Sequence, residues 1–292
     1  MIALAVGLAV VVGIALGLLG GGGSILTVPL LAYVGGMDAK QAIATSLLVV
    51  GVTSLVGAIS HARAGRVQWR TGLIFGAAGM AGAYAGGLLA RFIPGTVLLI
   101  GFAVMMIATA VAMLRGRKNV DAPAQGHRLP VPKIVAEGLV VGLVTGLVGA
   151  GGGFLVVPAL ALLGGLPMPV AVGTSLIVIA MKSFAGLAGY LSSVQINWTV
   201  ALAVTAAAVV GSLIGARLTA KVNPDSLRKA FGWFVLAMSS VILAQEIHPA
   251  VGIAAAALTA VAGAVTLACA RTAHCPLRRL SSGGHPTGGA PA

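Results

Sequence analysis

The chain carries the same glycine-rich segment twice, and this repeat constrains the fold more than any other feature. Residues 17–29 have the sequence GLLGGGGSILTVP, and residues 146–158 have the sequence GLVGAGGGFLVVP, so that Pro29 corresponds to Pro158 at a shift of 129 positions. The same shift, without a gap, aligns the Thr-Ser-Leu of residues 45–47 with that of residues 174–176. The sequence therefore predicts two structurally equivalent halves, each beginning with an apolar segment that glycines interrupt.

The composition places both halves in a membrane. Of the 292 residues, 59% are hydrophobic and 8% are charged, and residues 1–37, 138–181 and 183–216 contain no charge at all. Each of these runs is long enough for at least one span of about 20 residues. We therefore predict an all-α polytopic membrane protein with roughly 7–9 transmembrane helices.

The apolar segments divide the chain into repeats, a linker and a tail. We assign residues 1–114 to the first transmembrane repeat, 115–133 to a cytoplasmic linker, 134–246 to the second repeat, 250–270 to an extra transmembrane helix, and 271–292 to a disordered cytoplasmic tail. The predicted apolar segments are 2–19, 24–34, 38–60, 71–91, 95–114, 134–149, 153–164, 168–191, 198–219, 229–245 and 250–270.

The basic residues decide the predicted topology. The formal net charge of +13 would suggest a nucleic-acid partner in a soluble protein, but here the basic residues cluster in loops 61–70, 115–133 and 217–229 and in the tail. The positive-inside rule places such loops in the cytoplasm, so we expect no nucleic-acid partner. All four clusters share one side only if the N-terminus is external, the C-terminus is cytoplasmic and the two repeats have inverted topology.

Each repeat is predicted to begin with a re-entrant hairpin. Segments 24–34 and 153–164 are too short to cross a hydrocarbon core of about 30 Å at 1.5 Å per residue. The tips, at residues 20–24 and 149–153, would then lie near the midplane. Irregular backbone is tolerated there only when it is buried in protein or lines a wet cavity.

The hairpin tips are the first candidate binding site. Consecutive glycines leave backbone N–H groups unobstructed, and the half-helix after each tip would add the positive end of its dipole, which favours a small oxyanion. The alternative is that these glycines only allow close helix packing. A nucleotide site is disfavoured, because no flanking strand and no P-loop lysine are present. The candidate tip residues are Gly20, Gly22, Gly23, Ser24, Gly149, Gly151, Gly152 and Gly153.

Four hydroxyl side chains extend this candidate site. Thr45 and Ser46, and their repeats Thr174 and Ser175, lie about two turns into their predicted spans, at the depth expected for the tips. Hydroxyl groups donate hydrogen bonds to oxyanions, and they also bond back to helical carbonyl groups. Both roles remain open from the sequence.

Lys182 is the one charged residue well inside a predicted span, and it corresponds to Thr53 in the first repeat. An intramembrane charge costs about 2.5–3.5 kcal/mol to insert, so a functional role is the first hypothesis and snorkelling to the interface is the alternative. The five acidic residues all lie in or near loops and form no metal cluster or catalytic pair. We therefore expect neither an enzyme, nor a cofactor, nor a metal site.

These doubled motifs resemble the sulfite exporter TauE/SafE family of membrane permeases, over nearly the whole chain up to about Gln245. The resemblance implies an inner-membrane permease for small sulfur-containing or organic anions, such as sulfite, sulfoacetate or related sulfonates. We expect a small anionic substrate and the lipid bilayer as partners, with export the favoured direction. The open alternatives are an ion-coupled anion importer, a non-transporting scaffold or sensor with the same fold, and assembly as a homo-oligomer.

Overall fold

The computed structural model describes residues 2–19, 25–114, 131–149, 156, 160, 168–218, 224–247, 253–257 and 259. The main helices are α1 (Ile2–Leu19), α2 (Thr27–Pro29), α3 (Ala39–Arg63), α4 (Trp69–Leu89), α5 (Gly95–Leu114), α6 (Val131–Val148), α7 (Met168–Leu191), α8 (Trp198–Leu218) and α9 (Pro224–Glu246). A π-helical turn (Leu30–Val34) continues α2, and a 3-10 turn (Ala90–Phe92) continues α4. The predicted all-α membrane fold is confirmed.

Four of the described helices are long and apolar enough to cross a membrane by themselves: Ala39–Arg63, Trp69–Phe92, Val170–Leu191 and Trp198–Leu218. Shorter apolar stretches lie in α1, α5, α6 and α9. Exposed side chains along these helices are large and hydrophobic, among them Leu73, Val104 and Leu202, as expected for surfaces that face lipid.

The helix boundaries agree closely with the predicted segments. α1, α5 and α7 begin and end at the predicted residues, whereas α6 and α9 begin earlier, at Val131 and Pro224. A proline fits the first turn of a helix because its missing N–H would have no intrahelical partner there. The linker is therefore shorter than predicted. Its residues 115–130 lie outside the described part, as do the tail and the segment 250–270, apart from the helical residues 253–257 and residue 259.

Helices of one repeat pack against helices of the other repeat at glycine positions. A methyl group added at Gly13 of α1 would collide with the backbone of Ala208 in α8, and one added at Gly142 of α6 would collide with the backbone of Gly79 in α4. These two contacts are related by the sequence shift, because Gly13 corresponds to Gly142 and Gly79 to Ala208. Small residues allow such close approach of helices in membranes, where it is a main source of packing energy. The first helix of each repeat therefore packs on the third long helix of the other repeat.

The central pair of helices shows that the repeats are inverted. α3 and α7 are equivalent helices. A methyl group at Gly57 would lie 3.4 Å from Leu176, and one at Gly186 would lie 3.4 Å from Leu47, so that the early part of each helix meets the late part of the other. Equivalent helices that cross antiparallel at equivalent residues are related by a two-fold axis perpendicular to them. With these helices spanning the bilayer, that axis lies in the membrane plane, which is the inverted-repeat arrangement.

The directions of the helices bring the basic loops to one end of the bundle. α3 ends and α4 begins at the end that carries Arg63, Arg66 and Arg70, and α8 delivers Arg217 to the same end, which we call the basic end. At this end Gly65 (φ +66°) terminates α3, and its N–H donates to the Ala62 carbonyl at 3.0 Å. A left-handed residue after the last turn is a common helix stop that glycine adopts without strain.

The first repeat contains a short returning arm. α1 runs parallel to α8. α8 runs antiparallel to α7, as α3 does, so α1 and α3 point in the same direction. The chain between them must therefore return to the end of the bundle where α1 begins. The described part of the return is residues 25–34, whose side chains Ile25, Val28 and Leu31 are fully buried. Ten helical residues cover about 15 Å, half the thickness of a bilayer core. The arm is therefore a buried half-span, as the hairpin prediction required.

Candidate functional site

The end of α6 forms a glycine turn deep in the bundle. Gly149 has φ +73°, and a Cβ there would also collide with Ile43 of α3. The Ser46 hydroxyl lies 2.8 Å from the carbonyl oxygens of both Ile43 and Gly149, and it shares its single proton between them. The sequence predicted that Ser46 and Gly149 belong to one site, and the structure places them in direct contact. In this structure Ser46 holds the turn in place.

Three more side chains fix the same helix end. The Tyr190 hydroxyl donates to the Leu147 carbonyl, the Thr145 hydroxyl donates to the Val141 carbonyl at 2.7 Å, and the Lys182 ammonium donates to Thr145 Oγ1 at 3.2 Å. Lys182 is only 2% exposed. The last turn of a helix carries a partial negative charge, which favours a cation at this place. Lys182 therefore does not snorkel to the interface; it lies inside the bundle beside the α6 tip.

The other candidate tip residues lie outside the described part of the chain: Gly20, Gly22, Gly23, Ser24, Gly151, Gly152 and Gly153. The nearest described hydroxyl after the first tip is that of Thr27, which is 1% exposed and has no hydrogen-bond partner among the described residues. A buried hydroxyl without a partner costs about 1–3 kcal/mol, so it is a natural position for a bound water or ligand. The equivalent position in the second repeat is Val156, which is fully buried.

The two Thr-Ser pairs lie at opposite depths. Ser46 is beside the α6 tip, whereas Thr174 Oγ1 accepts a hydrogen bond from the Gln68 N–H at 2.9 Å, close to the basic end. Leu47 is level with Gly186 on α7, and the stretch from Gly186 back to Ser175 covers about 16 Å at 1.5 Å per residue. One small oxyanion cannot contact both pairs at once. If the pairs bind substrate, they form two sites along a path rather than one pocket.

A crevice lined by apolar side chains and several hydroxyl groups opens between α1, α3, α7 and α8 toward the basic end. Its volume is 390 Å³, and it extends from Arg63 and His61 at the mouth to Thr53 near the middle of α3. Its hydroxyl groups come from Thr53, Ser54, Ser60 and Ser212, and no lining residue is acidic. The Nδ1 atom of His61 is buried and has no hydrogen-bond partner. The hydroxyls of Thr53 and Ser60 donate to the carbonyls of Val49 and Gly57 in their own helix, so each would have to leave that bond to reach an anion. A crevice without carboxylates below a cationic mouth suits a small anion, because carboxylates repel anions.

The cavity at the opposite end has different chemistry. It is larger, at 690 Å³, and its charged lining residues are Asp38, Glu246 and one cation, Lys40. The Tyr33 hydroxyl donates to Glu246 Oε1 at 3.1 Å across this cavity, and Lys40 Nζ donates to the Arg91 carbonyl nearby. Two carboxylates make this cavity the weaker candidate for holding an anion. Among the described residues, no group of three or more His, Cys, Asp and Glu side chains could hold a metal ion.

Comparison with known proteins agrees with this architecture. The family described as "Sulfite exporter TauE/SafE" matches residues 5–242. The chain belongs to this family. It is 35% identical over 239 residues to a "Probable membrane transporter protein" of Xylella fastidiosa, covering 80% of this chain and 91% of that protein. No solved structure matches the chain.

More distant relatives carry the same kind of name. A probable membrane transporter protein of Methanocaldococcus jannaschii is 29% identical over 240 residues, covering 76% of this chain and 89% of that protein. One of Bacillus subtilis is 30% identical over 233 residues, covering 72% and 85%. The protein is therefore a TauE/SafE family member and an integral membrane transporter.

Sequence reasoning missed several residues that the structure brings to these sites. Thr145 and Tyr190 look like ordinary residues of apolar helices, and only their contacts with Lys182 and the α6 tip reveal them. Thr27 could have been predicted as a candidate, because the repeat alignment pairs its hydroxyl-bearing side chain with the apolar Val156 of the second repeat. His61 stands at a loop edge, where a sequence gives no sign of a crevice.

Proposed function

We propose that the protein exports small anions, such as sulfite, sulfonates or related organosulfur and organic anions, across the inner (plasma) membrane. The observation that carries this proposal is the acid-free crevice of Thr53, Ser54, Ser60, His61, Arg63 and Ser212. The positive-inside rule assigns the basic end, and with it the crevice mouth, to the cytoplasm. The N-terminus is then external, and a further crossing by the segment 250–270 would bring the tail to the cytoplasm.

The binding residues in this proposal are the hairpin tips, the two Thr-Ser pairs and Lys182. Because Ser46 and Ser175 lie at different depths, an anion would meet them in succession along its path. The glycine tips would offer backbone N–H groups, and Thr27 would add an unpartnered hydroxyl. Lys182 would supply the positive charge, and its hydrogen-bond partner among the described side chains is the neutral hydroxyl of Thr145.

Electrostatics favours export without a coupling ion. The export of an anion from a cell that is negative inside is favourable by about 2.3 kcal/mol per charge per 100 mV. No buried carboxylate lies in the described part of the crevice to carry a proton or bind sodium. An ion-coupled importer is the main alternative, because the other cavity holds Asp38 and Glu246. A non-transporting scaffold or sensor is the second alternative.

Flux from vesicles separates these functions. Purified protein is reconstituted into liposomes loaded with radiolabelled sulfite, and efflux is measured at clamped membrane potentials without a pH gradient. We expect efflux that rises as the inside becomes more negative. Efflux that ignores voltage but follows an imposed pH gradient would indicate a coupled carrier. No flux of sulfite, sulfoacetate or other small anions, with correctly inserted protein, would favour the scaffold or sensor.

A further inference from the structure

The crevice between α3 and α8 has a sealed counterpart in the other repeat. Its equivalent is the contact between α7 and α4, which we call the seam and define by Ala83, Tyr84, Gly87, Gly186 and Gly189. A methyl group at Gly186 would lie 3.7 Å from Ala83 Cβ, in contact with α4. One added at the equivalent Gly57 would meet Leu176 of α7 and no atom of α8 within 4 Å. The α4–α7 pair is therefore packed together at one end of the bundle, whereas the equivalent α3–α8 pair is separated at the other end.

The seam is sealed by contact between backbones. A Cβ at Gly87 would lie 2.6 Å from the Gly186 carbonyl oxygen, and one at Gly189 would lie 2.7 Å from that of Tyr84. Real Cβ atoms do not approach backbone so closely, so only glycine permits this contact. At the crevice the positions that correspond to Gly87 and Gly189 hold Ala216 and Ser60, which line the open cavity, so α3 and α8 could close there only to side-chain contact.

Two polar residues are trapped behind the seam. Ser183 is fully buried and its hydroxyl has no hydrogen-bond partner in the described part of the chain, whereas its equivalent Ser54 lines the crevice. Lys182 is likewise buried, whereas its equivalent Thr53 lines the crevice. A buried ammonium group and an unpartnered hydroxyl are both costly. Their positions would become hydrated if the seam adopted the geometry that the crevice has now.

We propose that the seam is the closed external half of the anion path, and that Lys182 and Ser183 form an anion-binding half-site within it. The structure then represents the state that is open to the basic end. When the two repeats exchange conformations, α7 separates from α4, α3 closes on α8, and an oxyanion bound at Lys182 and Ser183 faces the opposite side. This inference rests on the proposed function, because it specifies where the transported anion is held.

Disulfide cross-linking tests the exchange. Cysteines at Ala83 and Gly186 would have Cβ atoms about 3.8 Å apart in a disulfide, which fits the 3.7 Å observed. The matched pair is Gly57→Cys with Ser212→Cys, the equivalent positions across the open crevice. Both pairs are built in a background in which Cys269 and Cys275 are replaced by Ser, with each single variant as a control. Copper phenanthroline serves as the oxidant and dithiothreitol as the reductant.

We expect the A83C/G186C pair to cross-link rapidly and the G57C/S212C pair slowly, only as the protein visits the exchanged state. Adding Gly87→Ala, which forces the seam apart, should accelerate the second cross-link severalfold. Either disulfide should stop flux of the probe anion in vesicles, and reduction should restore it. Sulfoacetate is the probe in this assay, because sulfite itself cleaves disulfides.

The outcomes separate the inference from the proposed function. If G57C/S212C never cross-links while the reduced protein carries anions, or if the A83C/G186C disulfide leaves flux unchanged, the exchange is wrong although the protein is a transporter. If both cross-links form as expected but the reduced protein carries no anion, the proposed function is wrong, whereas the exchange between two conformations is supported. Should A83C/G186C fail to reach the membrane, G57C/S212C alone decides the exchange.

Discussion

The two repeats share one pattern of helix contacts and differ in the side chains at the crossing of α3 and α7. Gly13 and Gly142 make equivalent contacts with the helix opposite, as do Gly82 and Gly211, so the frame of the first repeat is the frame of the second. At the crossing of α3 and α7, by contrast, Thr53 of the first repeat corresponds to Lys182 of the second. The helix packing of both repeats therefore depends on positions where only a small residue fits. The polar side chains at other positions can differ between the repeats without changing that packing.

The packing glycines should be the least tolerant positions. Gly142→Val would force side-chain atoms into the backbone of Gly79, so we expect a destabilisation of at least about 3 kcal/mol and loss of folded protein from the membrane. Membrane yield and detergent thermal stability provide the measurement. Gly101→Val is the matched control, because a Cβ there meets nothing within 4 Å and the substitution should leave the yield unchanged. Equal yields for both variants would mean that the helix contacts are looser than the structure shows.

Substitutions at the tip glycines should reduce transport without preventing folding. Replacing Gly22 or Gly151 with a bulky residue is expected to lower anion flux by roughly ten- to a hundredfold, if it removes one charge-assisted hydrogen bond of about 1.5–3 kcal/mol from a tip N–H group to the anion. The protein should still reach the membrane. Flux from reconstituted vesicles, normalised to inserted protein, is the measurement. Normal flux from both variants would reduce these glycines to packing residues like Gly142.

The role of the Lys182 charge, which has no equivalent at Thr53 in the first repeat, can be tested by substitution. Lys182→Ala should weaken anion binding about tenfold or more, and Lys182→Arg should retain part of the activity. Lys182→Met keeps much of the side-chain volume without the charge, so it distinguishes loss of charge from loss of packing against α4 and α6. Anion dependence of flux, measured as KM and kcat, is the readout. A KM that stays constant in all three variants would assign Lys182 to the support of the α6 tip alone.

The smallest expected effects concern the two serines. Ser46→Ala removes the hydrogen bond to Gly149 and should cost about 1 kcal/mol of stability, because the buried carbonyl loses its donor. Ser175→Ala removes a hydroxyl whose bond within the described residues is to the carbonyl of Val172 in its own helix, so we expect a change below about 0.5 kcal/mol. Unfolding midpoints in detergent compare the pair. A larger effect at Ser175 would indicate a second partner for its hydroxyl.

Several features of the candidate site could not be inferred from the sequence, for a geometric reason. The repeat alignment indicates that Ser46 and Ser175 are equivalent residues. A two-fold axis in the membrane plane, however, places equivalent residues at opposite depths in the membrane unless they lie on the axis. Residues at the crossing, such as Thr53 and Lys182, do lie near it and therefore share one level. Locating the crossing requires the contact between α3 and α7, which no one-dimensional pattern contains.

The sequence by itself determined the membrane environment, the helix boundaries and the two-fold repetition, because these depend on local hydrophobicity, on proline and glycine, and on a constant shift of 129 positions. The tertiary structure alone decided that α1 packs on α8 rather than on its own repeat. It also decided that Lys182 is buried beside Thr145, and that the crevice is open while the seam is closed. The sequence shows where backbone contact between helices is possible, at Gly87 and Gly189 rather than at the equivalent Ala216 and Ser60, but how far apart two helices stand depends on the packing of the whole bundle.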